Sequence, residues 1–145
     1  MKTAIITPAI VNPDLLYGAE RHYVGMVQAF RKQVDTEWIQ VPISEYNWES
    51  VLQGYLDCYH LDLSRFDVVV STKNPTYMAQ HEHHVCWLLH QMRVFYDRFD
   101  DEYGRLPAKA WPVYGSTATS FIASTRWACE RCGISSPMAT KPPAA

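Results

Sequence analysis

The chain has 145 residues, 48 % of them hydrophobic and 19 % charged, which fits one globular domain with a core and excludes a wholly disordered polymer. With 13 Lys and Arg against 15 Asp and Glu, there is no excess of positive charge to hold a nucleic-acid backbone. No apolar run approaches the roughly 20 residues of a membrane-spanning helix.

Ala4-Ile5-Ile6 closed by Thr7-Pro8 reads as a buried parallel strand, because strands covered on both faces are continuously apolar. A loop over 11–18 follows. A helix is expected from Ala19 to Gln33, with Tyr23, Val24, Met26, Val27 and Phe30 near one face. Gly25 inside it either weakens the helix slightly or allows close packing on the sheet. Trp38 to Ile43 is expected to be the second strand, and Asn47 to Tyr59 the second helix, with Trp48, Val51, Leu52, Tyr55 and Leu56 at helical spacing. Phe66 to Ser71 is the clearest strand, β-branched and apolar, and Val85 to His90 is the fourth. Met92 to Tyr103 reads as a helix or as a loop carrying aromatics. The order predicts an α/β fold, a Rossmann-like parallel sheet flanked by helices.

The composition breaks near residue 104. Residues 1–104 hold 14 acids, 8 Lys and Arg and all six His, a net of −6, whereas 105–145 hold one acid, five Lys and Arg and five of the nine Pro, a net of +4. We therefore expect a domain over 1–104 and a poorly structured tail over 105–145. The start of the chain has too short an apolar stretch for a secretory signal, so the expected location is the cytoplasm, free or peripheral at a membrane. Cys58, Cys86, Cys129 and Cys132 are then expected to be thiols rather than a disulfide frame.

Ligands of such sheets bind beyond the carboxyl ends of the strands, where three polar stretches fall: Tyr17 to Glu20, Ser71 to Asn74, and His90 to Arg93. Gly18, between the first strand and its helix, lets backbone amides and the positive helix end approach a phosphate, or simply serves a tight turn. His90 closes an apolar strand, where it can donate a hydrogen bond or act as an acid or base, or rest as a satisfied rim histidine. Arg93 can pair with a phosphate or carboxylate, or with the acidic run at Asp97, Asp100, Asp101 and Glu102. His81, His83 and His84 precede a strand, where neighbouring imidazoles point apart, so no metal is expected. Cys129 and Cys132 have the spacing of a redox or half-zinc motif but no second pair, and are read as incidental.

Taken together, Ile5-Ile6-Thr7-Pro8, Tyr17-Gly18-Ala19-Glu20-Arg21, Phe66 to Ser71, Cys86 to Arg93 and Phe95-Tyr96-Asp97 resemble the N-terminal domain of family 4 glycosyltransferases of the GT-B architecture. The resemblance implies an enzyme that moves a sugar from a nucleotide-sugar donor to a glycan or other small acceptor, with retention and without an essential metal or other cofactor. It implies that this domain binds the acceptor, and that Gly18 and Ala19 approach the donor diphosphate. Tyr17 stands where a second glycine is common. His90 matches the polar residue near the transferred sugar. Lys73 and Asn74 lie where the resemblance puts acceptor contacts, and Arg93 is a further substrate-binding candidate. The family's second domain, which holds the donor, has no counterpart here, so the chain alone is expected to be an inactive fragment.

Residues from about 105 are expected to come from a shifted reading frame. Starting each codon of Phe121 to Pro143 one nucleotide earlier permits a peptide with apolar residues at helical spacing ahead of a strand-like Ile-Phe pair, which is similar to the family at that point. The competing expectations are a stand-alone module that binds an acceptor or partner without catalysis, and a small zinc or thiol protein. Donor sugar, acceptor and oligomeric state are left open.

Overall fold

The computed structural model describes residues 1–9, 18–44 and 48–90. The chain divides into two compact units, Met1–His90 and Gln91–Ala145, and only the first is described. The boundary expected at 104, the helix or loop over Met92–Tyr103 and the 105–145 tail with Cys129 and Cys132 all lie outside the described residues.

The first unit runs β1 (Lys2–Pro8), α1 (Gly18–Arg31), β2 (Asp35–Val41), α2 (Trp48–Tyr59), β3 (Val68–Lys73) and β4 (His84–His90), with a 3₁₀ turn over Thr76–Met78 between the last two strands. The four strands form one sheet in the order β2-β1-β3-β4, and every pair is parallel. This is the Rossmann-like α/β arrangement expected from the sequence. Strand order reverses between β1 and β3, so the two helical crossovers cover opposite faces.

The two cores show that division. Ile5 and Val70 meet Met26 and Val27 of α1, with Phe30 and Trp38 at the margin. Ala4, Ile6, Val41 and Val69 meet Cys58 of α2 together with Leu63, Phe66 and Ala79 on the other face. Alternation along β1 thus sends apolar side chains both ways, as a strand buried on both faces requires.

Several details differ from the expected elements. α1 ends at Arg31 rather than Gln33, and β3 runs Val68–Lys73 rather than Phe66–Ser71. β2 begins at Asp35, because Asp35, Thr36 and Glu37 pair with Lys2, Thr3 and Ala4 despite their polarity. It ends at Val41, next to Pro42, which has no N–H for a ladder. In α2 the buried residues are Val51, Gly54, Tyr55 and Cys58, while Leu52 and Leu56 are exposed; the stripe is rotated from the one the leucines mark. Gly25 is exposed and a side chain there would meet nothing within 4 Å, so it serves no close packing. β4 is only half covered, with Val85 and Trp87 each about half exposed, since β3 returns to β4 through a 3₁₀ turn rather than a helix.

Cys58 and Cys86 are free thiols. Burial first, and the Asp57 carboxylate second, push the Cys58 thiol up to about 12 from its ordinary 9. The unfolded thiol ionises first, so its contribution to stability is whole below pH 9 and is lost as pH rises towards 12. Iodoacetamide at pH 8 is expected to label Cys58 only after unfolding, and Cys58→Ala to flatten the alkaline fall of the urea midpoint. Labelling of Cys58 in the native chain, read by peptide mass spectrometry, would contradict this placement.

Candidate functional site

The carboxyl edge of the sheet collects three chain ends. β1 ends at Pro8 beside Val41 of β2, with Ala9 N–H donating to Val41 O at 2.8 Å. α1 begins at Gly18, whose φ of +40° is the left-handed conformation that glycine adopts without a Cβ penalty. β3 ends at Lys73. In an open parallel sheet the crevice where strand order reverses is the ligand site, and here that is the β1–β3 seam with the amide end of α1 following it in the chain.

The seam's backbone is closely held. Thr76 Oγ1 accepts from the N–H groups of Thr72 at 3.0 Å and Lys73 at 3.3 Å, and donates to Lys73 O at 2.7 Å. Thr72 Oγ1 donates to Ile6 O at 3.1 Å, tying β3 to β1. Thr7 Oγ1 accepts from the Trp38 indole at 2.9 Å and donates to Pro8 O. The amides of Thr72 and Lys73 are therefore spent on the protein itself.

Of the expected site residues, Gly18 and Ala19 are exposed at the start of α1, and Lys73 is half-buried at the end of β3. His90 is the register partner of Lys73. The register slips between them: from Ser71 opposite Cys86 to Lys73 opposite His90, β4 advances four residues against two on β3. That irregularity carries the end of β4 to the end of β3 and makes neighbours of two residues 17 positions apart in sequence. Asn74 is placed differently. It is 1 % exposed, and its Oδ1 accepts from the hydroxyls of both Tyr55 and Tyr77, the latter at 2.8 Å. It braces the turn after Lys73 against α2. Arg93 lies outside the described residues.

The histidines ahead of β4 are engaged one by one. His81 Nδ1 accepts from His83 N–H at 3.0 Å, so the proton sits on Nε2, which donates to Phe66 O at 2.9 Å. His84 Nε2 is hydrogen-bonded to Ser71 Oγ at 2.8 Å. Ser71 is fully buried, so this Ser–His pair has no approach for a substrate carbonyl. Among the described residues no three His, Cys, Asp or Glu side chains converge on a possible metal position. None of the described helices is long and apolar enough to cross a membrane.

A second concavity, an open groove of about 460 Å³, runs along the flank of α1 from Arg21 to Phe30 and is closed on its far side by Trp87. The His22 and Trp87 rings meet across it, centroids 6.2 Å apart. Sequence reasoning missed this groove, because an apolar residue on a strand is read as covered.

No protein-family model, curated protein or solved structure matches the chain.

Proposed function

We propose that the chain contains the acceptor-side Rossmann-like domain of a family 4, GT-B glycosyltransferase, which transfers a sugar from a nucleotide-sugar donor to a glycan or other small acceptor. The observation that carries this reading is Gly18. It stands at positive φ where α1 begins after β1, at the reversal point of a β2-β1-β3-β4 parallel sheet. Helix amide ends in that position suit the phosphates of a nucleotide ligand.

In this reading the leaving nucleoside diphosphate gathers negative charge as the glycosidic bond to the donor breaks. The amide end of α1 at Gly18 and Ala19 and the ammonium of Lys73 are fixed positive partners for that charge, which is where electrostatic catalysis gains most. His90, the register partner of Lys73, is the candidate to hold a hydroxyl of the transferred sugar. Asn74 acts at one remove, because its buried amide holds the turn that presents Lys73. Arg93 is retained as a substrate-binding candidate on the resemblance alone.

Titrating the ¹⁵N-labelled 145-residue chain with UDP-glucose and GDP-mannose tests the proposal. The amides of Gly18, Ala19, Lys73 and His90 are expected to shift together at millimolar ligand. A titration in which neither compound moves these four amides overturns the reading. Shifts confined to the Trp87 groove would favour the stand-alone binding module instead.

A further inference from the structure

The sheet order β2-β1-β3-β4 leaves two outer strands, and among the described residues each pairs on one side only. An outer strand presents a row of main-chain donors and acceptors to any other strand, and proteins protect such edges with charges, proline or short length. β2 carries that protection. It holds Asp35 and Glu37, with Pro42 directly after its last residue. β4 carries none of it: His-Val-Cys-Trp-Leu-Leu-His is seven residues long, with no Pro, Lys, Arg, Asp or Glu. Val85 and Trp87 are 51 % and 49 % exposed on it.

The residues of β4 read nearly alike in both directions. A histidine stands at each end, five apolar residues lie between, and Trp87 is at the centre. Val69 N–H donates to His83 O, so by strand alternation the main-chain groups of His84 and Cys86 point away from β3. The register slip that follows is even, four residues against two, and carries the alternation on to Leu88. Trp87 lies on the α1 face, where its ring meets His22, and Val85 shares that face.

We infer that β4 pairs antiparallel with β4 of a second copy of this chain, about a twofold axis through Trp87. In that register Cys86 of one copy exchanges main-chain hydrogen bonds with Leu88 of the other, and Leu88 with Cys86. Val85 stands opposite Leu89, His84 opposite His90, and Trp87 opposite Trp87. The Trp87 pair is a non-hydrogen-bonded one, in which side chains approach most closely, so each ring covers exposed surface of the other. The same patch meets itself, so the contact is isologous and closes at two copies. The charges and proline of β2 stop growth at the other edge. One strand per copy is a small interface, so the dimer is expected to dissociate on dilution, with a midpoint of roughly 10–100 μM. The pairing does not depend on the nucleotide-sugar reading of the carboxyl edge.

Sedimentation equilibrium of the 145-residue chain is expected to show a reversible monomer–dimer equilibrium in that range. Trp87→Lys puts like charges opposite each other at the centre of the pair and is expected to raise the dissociation constant by roughly 10-fold or more. Leu56→Lys, at a comparably exposed apolar position on α2, is expected to leave it unchanged. On mild oxidation Trp87→Cys is expected to form an intermolecular disulfide above the background of the native thiols, because residue 87 faces its own counterpart at a distance that suits the bond. Val85→Cys, which faces Leu89, is expected not to. A chain that stays monomeric up to about 1 mM overturns the pairing, as does growth beyond dimers. A dimer indifferent to Trp87→Lys, or lost equally with Leu56→Lys, places the contact elsewhere and overturns it too. Equal cross-linking of the Trp87→Cys and Val85→Cys variants overturns the antiparallel register.

Discussion

Ile6→Ala is expected to remove about 2–5 kcal/mol of stability, the range for deleting a large aliphatic side chain from a packed core. Ile6 is fully buried on β1, which is flanked by β2 on one side and β3 on the other. Its side chain lies in the cluster that joins Val41, Val69 and the α2 residue Cys58. Two of its neighbours, Val41 and Val69, are held in strand ladders, which limits how far the space can close. A typical domain has only about 5–15 kcal/mol to lose, and urea unfolding should show the midpoint falling by a large fraction. The companion substitution is Leu56→Ala on α2. Leu56 is 52 % exposed, so its loss is expected within about 0.5 kcal/mol. If Leu56→Ala costs as much as Ile6→Ala, the face assigned to α2 is wrong.

That contrast marks where the sequence was legible. β1 and β3 could be read because strands buried on both faces leave unbroken apolar runs at Ile5-Ile6 and Val68-Val69-Val70; β4 carries the same kind of run at Val85 to Leu89 although Val85 and Trp87 are half exposed. Their ends could not be read. Thr3, Thr7 and Thr72 are buried as deeply as the valines, but a threonine in a ladder carries no mark that separates it from one in a loop. The spacing of α2 points to a rotated stripe because Leu52 and Leu56 are more apolar than Gly54 and Cys58 on transfer scales, whereas the packed stripe runs Val51, Gly54, Tyr55, Cys58.

In the site, strand ends pointed to Lys73 and His90, and the slipped β3–β4 register makes them neighbours. Asn74 followed by the same rule, yet it turned inward to two tyrosines; its partners lie on α2 and in the 3₁₀ turn, and no spacing rule connects them.

Asn74→Leu is expected to cost about 1–3 kcal/mol, the penalty when buried donors lose their acceptor. Leucine branches as asparagine does but is bulkier, so overpacking at this buried position adds to the loss of hydrogen bonding. Asn74 Oδ1 accepts from both Tyr55 and Tyr77, and the two hydroxyls lie 2.8 Å from each other. The three side chains form one network linking α2, the end of β3 and the 3₁₀ turn. Members of such a network are not additive: the cycle of Asn74→Leu, Tyr77→Phe and the double variant should show a coupling of about 0.5–3 kcal/mol. Additive losses in urea unfolding would show that the tyrosines do not depend on the amide. Because the network holds the turn that follows Lys73, the nucleotide-sugar proposal predicts that Asn74→Leu also weakens UDP binding, although Asn74 itself is buried. Tyr77→Phe, which leaves the Tyr55 hydroxyl to hold Asn74, should weaken it less. Equal weakening by both would place the tie to Lys73 in the Tyr77 hydroxyl rather than in the amide that the two tyrosines share.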